Sequence, residues 1–171
     1  QMASESARRT RDAEAYIDPE KARIAKEKGD EDFKGGRFPE AIKHYEEAIL
    51  RSPSDPKLYS NKAACYQKLG AFPEVIKDCD KAISLDKTFA KAYSRKAHAQ
   101  FLMKEYHKAM ETYRAGLAVD PNNADLQDGL QKALAKVHGE ADPNESEEQR
   151  VERAMRDPEI QQILSDPGMR L

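Results

Sequence analysis

Ala63 has a counterpart 34 residues before it in Gly29 and another 34 after it in Ala97, and the rest of the chain keeps the same step. Ala48, Ala82 and Gly116 form a second series of small residues. Phe38, Phe72 and Tyr106 form an aromatic series, and Ala41, Val75 and Ala109 a compact apolar one. Pro53, Lys87 and Pro121 close the three units. Small residues at fixed places in a 34-residue unit mark where two helices approach closely, and an array of such units leans on its neighbours rather than on one large core. The period predicts an all-α fold of three antiparallel helix pairs.

Apolar spacing of three and four residues sets the elements. A helix is expected from about Pro19 to Lys34, ended by Gly35-Gly36, and its partner from about Pro39 to Arg51 with Ile42, Tyr45, Ala48 and Ile49 inward. The middle pair breaks at Gly70 and the third near Lys104-Glu105. The partner helices there carry Val75, Ile76, Cys79, Ala82 and Ile83, then Ala109, Met110, Tyr113 and Leu117. Leu126, Leu130 and Leu134 on a further helix, about 124 to 137, give one apolar seam and one polar face, as an end cap requires. Asp-Pro dipeptides punctuate the chain at Asp18, Asp55, Asp120, Asp142, Asp157 and Asp166: aspartate caps the first amides and proline fits a first turn, which needs no amide hydrogen. The expected division is a helical or flexible lead-in over 1–18, the repeats with their cap over 19–138, an acidic linker over 139–148, and the opening helices of a second, truncated domain over 149–171.

Charged residues make up 35% of the 171, the formal net charge is −2, and the mean hydropathy is −0.90. These values suit narrow amphipathic helices with long solvated faces, and the balanced charge argues against a bulk basic nucleic-acid binder. No apolar run reaches the roughly 20 residues of a membrane span, and the charged first fifteen residues do not suit a secretory signal, so a cytoplasmic protein is expected. Cys65 and Cys79 read as buried, reduced thiols. His44, His98, His107 and His138 show no metal spacing, and no nucleophile motif or phosphate-cradling glycine loop is present, so neither an enzyme nor a cofactor is expected.

Leading helices of stacked pairs line the inner side of the curve, where a ligand would sit. The exposed positions expected there are Lys26, Asp30 and Phe33 on the first, Asn61, Ala64 and Lys68 on the second, and Lys91, Arg95 and His98 on the third. Lys26 with Asp30, and Lys91 with Arg95, are four apart and share a helical face. Three neighbouring helices make a trough for an extended peptide of about four to six residues. Its cations and the Asn61 amide suit a chain-terminal carboxylate, a two-oxygen acceptor. Phe33, Ala64 and His98 could wall an apolar side chain, although Phe33 could equally serve packing between repeats.

The 34-residue pattern resembles the tetratricopeptide repeat (TPR), which implies a right-handed superhelical solenoid. The groove resembles the carboxylate-clamp TPR domains of co-chaperones, in which a lysine and an asparagine on the first front helix, an asparagine on the second, and a lysine and an arginine on the third hold the Glu-Glu-Val-Asp tail of the 70-kDa and 90-kDa heat-shock chaperones. Here those places carry Lys26, Asp30, Asn61, Lys91 and Arg95, so Asp30 alone departs. The segments Ala15 to Glu20, Leu58 to Asn61 and Ala154 to Ile163 are similar to the second-half TPR domain of the Hop-type stress-inducible co-chaperones and the start of their aspartate-proline-rich domain. The resemblance implies a monomeric, non-catalytic adaptor for a chaperone tail, with the 70-kDa class favoured over the 90-kDa class and neither nucleic acid nor membrane as partner. Ionised aspartate accepts hydrogen bonds and cannot donate them, so Asp30 is expected to hold Lys26 or Arg95 rather than touch the ligand. The other reading is a structural helical scaffold that positions neighbouring domains or binds client protein without a clamp.

Overall fold

A computed structural model describes residues 2–139 and 146–165, and among these the secondary structure is entirely helical. The lead-in is α1 (Met2–Tyr16). The repeats follow as α2 (Pro19–Lys34) with α3 (Phe38–Arg51), α4 (Pro56–Lys68) with α5 (Phe72–Leu85), and α6 (Ala90–Leu102) with α7 (Tyr106–Val119); α8 (Ala124–His138) covers the end of the stack. Beyond it lie α9 (Glu147–Met155) and α10 (Pro158–Ser165). Most of the expected acidic linker, 140–145, and the Asp166-Pro167 dipeptide fall outside the described residues.

The start signals act as aspartate and asparagine caps should. Asp18 accepts from the Lys21 amide at 3.1 Å, Asp55 from that of Lys57 at 3.0 Å, and Asn123 from that of Leu126 at 3.1 Å. Each such cap is worth about 1 kcal/mol. The turns inside the pairs repeat too: Gly36, Gly70 and Lys104, each 34 residues apart, all take a left-handed backbone with φ of 74°, 72° and 62°. Glycine adopts that region freely, whereas Lys104 carries its side chain into it at a cost.

Packing follows the same step. Ala41, Val75 and Ala109 are fully buried at the three equivalent crossings, as are Ala63 and Ala97. Gly29, the third member of that series, lies so close to Tyr45 that an added methyl would sit 2.7 Å from the ring. The junctions between repeats share a hydrogen bond on the same period. Tyr59 and Tyr93 donate to the carbonyls of Pro53 and Lys87 at 3.5 and 3.0 Å, and the Gln127 amide donates to that of Pro121 at 2.9 Å. Successive helices pack in order from α2 to α8; in addition α4 touches α6, and α6 touches α8, through their front faces. Between α2 and α4 the front faces are parted by a small cavity. At the other end Tyr16 ties α1 down: the Arg51 guanidinium lies 3.4 Å over its ring, and its hydroxyl donates to Glu47 at 3.0 Å.

Candidate functional site: the groove of the leading helices

Two adjoining hollows lie along the leading helices. The smaller, about 250 Å³, is lined by Asp30, Phe33 and Lys34 of α2, Asn61 and Ala64 of α4, and Arg95 of α6, with Tyr45 behind. The larger, about 490 Å³, runs from Gln67 of α4 past Lys91, Ser94, Arg95 and His98 to Lys132 of α8. Arg95 lines both and joins them into one groove.

On the α2 side the charge is already satisfied within the protein. Lys26 donates to Asp30 at 2.7 Å, and the Tyr45 hydroxyl donates to the other oxygen of Asp30 at 2.6 Å. Tyr45 can reach forward from α3 because Gly29 has no side chain to stop it. Burial, and then the Asp30 carboxylate beside it, pushes the Tyr45 phenol well above its ordinary range, so it stays a neutral donor. The expectation that Asp30 would hold Lys26 or Arg95 is answered in favour of Lys26. Lys26 itself lines neither hollow.

On the α6 side the charge is unspent. Among the described residues neither Lys91 nor Arg95 has an ion-pair partner, and the side-chain amide of Asn61 makes no hydrogen bond. Lys91 is exposed, whereas Arg95 is half-buried and its Nε is shielded from solvent with no acceptor. Burial pulls the guanidinium below its ordinary value, which records how poorly this position solvates a cation. A buried donor left unpaired costs about 1–3 kcal/mol, and an anionic ligand would recover it.

His98 stands one turn beyond Arg95, and the Gln67 amide donates to its Nδ1 at 2.7 Å, which leaves the ring proton on Nε2. Burial, helped by the charges of Lys132 and Arg95, holds this imidazole below its usual range and hence neutral at pH 7. Phe33 serves both roles considered for it: it packs edge-on against Phe38, with ring centroids 5.4 Å apart, and it lines the smaller hollow beside Ala64. Lys68, on the last turn of α4, is exposed and lines neither hollow. Gln67, Lys34, Ser94, Lys132 and the carboxylates Asp125 and Asp128 line the groove without having been anticipated, with Asp128 paired to Lys132 at 2.7 Å, and Tyr45 was read only as core.

Cys65 is fully buried with its thiol pushed up to about 11 by burial, and its Sγ donates to the Asn61 carbonyl at 3.5 Å; Cys79, also fully buried, is pushed up to about 12. Neither thiol is paired with His98, which is engaged by Gln67. Among the described residues no cluster of His, Cys, Asp or Glu is placed to hold a metal ion, and no helix is long and apolar enough to cross a membrane.

Residues 29–70 match the family described as TPR repeat, and residues 56–89 and 90–123 match Tetratricopeptide repeat. The chain is 51% identical over 170 residues to the Hsp70-Hsp90 organizing protein of Triticum aestivum, a match that covers 98% of this chain and 29% of the relative. It thus spans less than a third of that relative's length. Among solved structures, the TPR2AB-domain:pHSP90 complex of yeast Sti1 is 42% identical with a TM-score of 0.73, covering 78% of this chain and 54% of that one. The TPR2B-domain:pHsp70 complex of yeast Sti1 is 41% identical with a TM-score of 0.64, covering 68% of this chain and 98% of that one. With the 34-residue period, the helix pairs and these matches in agreement, the chain belongs to the tetratricopeptide repeat family, within which it is similar to the Hsp70-Hsp90 organizing proteins.

Proposed function

We propose that this chain is a non-catalytic adaptor that grips the acidic C-terminal tail, of the Glu-Glu-Val-Asp type, of a cytosolic heat-shock chaperone. Asn61, Lys91 and Arg95 hold the terminal carboxylates, Phe33 and Ala64 wall the valine, and Gln67 and His98 flank the residues before it. The observation that carries the reading is the half-buried Arg95, whose Nε has no acceptor and which stands where the two hollows meet. A charge so placed is stabilised by a two-oxygen anion, since arginine binds carboxylates through paired hydrogen bonds. Lys26 acts indirectly by neutralising Asp30, and Lys68 contributes long-range attraction only. The 70-kDa class is favoured over the 90-kDa class because the chain is similar to the TPR2B domain of yeast Sti1, whose complex is with pHsp70.

In this reading residues 19–138 form the binding domain, 1–18 a lead-in, 139–148 an acidic linker and 149–171 the start of a separate helical domain. The proposed adaptor acts as a monomer in the cytoplasm. Affinity is modest, about micromolar, because charge-assisted bonds in an open groove are discounted by water. The test is capture of purified protein on an immobilised 70-kDa chaperone, intact or lacking its last four residues. Capture by the intact chaperone alone is expected; equal capture by both rejects the clamp and leaves a scaffold.

A further inference from the structure

We infer that Lys34, on the last turn of α2, supplies the first-helix cation of this groove in place of Lys26, and takes one of the two carboxylates of the tail's terminal aspartate. The inference rests on the adaptor reading above and adds to it a residue of this chain's own. Three observations carry it. Lys26 is committed to Asp30 at 2.7 Å and lines neither hollow. Lys34 lines the smaller hollow together with Asn61, Ala64 and Arg95, is exposed, and has no ion-pair partner among the described residues. Its backbone is held, because the Gly35 amide donates to Glu31 at 3.0 Å, that of Gly36 to Phe33 at 3.1 Å and that of Arg37 to Asp32 at 2.8 Å, closing α2 directly behind it.

The charge distribution of the hollow favours such a group. Its cation, Arg95, stands on the α6 side, whereas on the α2 side the Asp30 carboxylate is only offset by Lys26 and the end of α2 adds the negative pole of a helix, so a cation at that rim favours an entering anion. Lys34 is four residues beyond Asp30 and eight beyond Lys26, hence on the same face and one turn nearer the end of the helix. A flexible ammonium at that rim can meet an incoming carboxylate without disturbing the Lys26–Asp30–Tyr45 network.

The experiment is a double-mutant cycle by calorimetry. Wild-type protein and Lys34→Gln are each titrated with a peptide ending in Glu-Glu-Val-Asp, with its version ending in Asn, and with its C-terminally amidated version. Lys34→Gln is expected to weaken the parent peptide about three- to tenfold and to flatten the salt dependence. It should also blunt the loss caused by removing one of the two carboxylates, while circular dichroism stays unchanged. Unaltered affinity, or equal losses on both proteins for both modified peptides, overturns the inference. Lys91→Ala with Arg95→Ala is run beside it: if that variant still binds, the parent reading fails, whereas if only Lys34→Gln is silent, the adaptor stands and Lys34 is excluded.

Discussion

On α2 the Lys26 ammonium is neutralised by Asp30, which Tyr45 holds from behind, whereas on α6 Lys91 and Arg95 share a hollow with Asp125 and Asp128 of α8 yet have no ion-pair partner among the described residues. Each wall carries two charged residues at a four-residue spacing, a lysine with an aspartate on α2 and a lysine with an arginine on α6, and only the second pair has charge left for a ligand. What separates them is a carboxylate one turn along the same helix from Lys26, and the glycine that lets Tyr45 hold it. A cation in a groove is therefore a binding group only when the fold has not already paired it, and position along a helix does not decide that.

The contrast can be broken most forcibly on its unpaired side. Lys91→Ala with Arg95→Ala should cost at least about a hundredfold in affinity for a Glu-Glu-Val-Asp peptide, since two charge-assisted contacts of roughly 1.5–3 kcal/mol each are lost. Helical content should be retained, and full affinity by calorimetry would contradict the assignment. Next in size is Gly29→Ala, which drives a methyl into Tyr45. Overpacking of this kind costs about 1–3 kcal/mol, read from denaturant unfolding, and should also loosen the hold on Asp30; unchanged stability would show that the tyrosine has room to move.

Asp30→Asn probes the paired wall itself. It removes the negative charge, frees Lys26 and retains an oxygen for Tyr45, so acidic-peptide affinity should rise about three- to tenfold. An equal or weaker affinity would mean that the carboxylate does not oppose the ligand. A smaller gain is expected from Lys104→Gly, which relieves the side chain held at φ 62° where the other two repeats have glycine. About 0.5–1 kcal/mol of added stability should result, after allowance for the freer unfolded chain.

The smallest effect belongs to His98. Its folded-state pKa lies below the unfolded value, so its contribution to stability is complete above the ordinary imidazole range and is lost as pH falls through the lowered value. Over the same window the imidazole gains a charge that favours an acidic ligand, and affinity should rise by about twofold. His98→Gln should abolish that rise, and its persistence would place the titration elsewhere.

Much of this was legible in the residues because the signals were local. Gly36, Gly70 and Lys104 end the leading helices where the period put them, and the small residues at 41, 75 and 109 fall at buried crossings. Boundaries moved only slightly: α3 begins at Phe38 rather than Pro39, and α9 at Glu147, two residues inside the segment read as linker. The groove was legible by face but not by partner. The reach of Tyr45 to Asp30 depends on α3 passing behind Gly29, a contact across 15 positions that no helical spacing encodes. Lys34 and Lys68 occupy the same repeat position, yet only Lys34 lines a hollow. The α2 and α4 faces are parted there, whereas α4 packs onto α6 and the Gln67–His98 bond closes that end.

In the proposed adaptor Arg95, Lys91 and Asn61 await a free chain terminus. Calorimetric titration of the unaltered protein with one Glu-Glu-Val-Asp peptide, as the free acid and as the C-terminal amide, tests it with no mutation to confuse folding and binding. Roughly micromolar binding of the acid, weakened by salt and lost for the amide, is the predicted result. Equal binding of the two forms would contradict it.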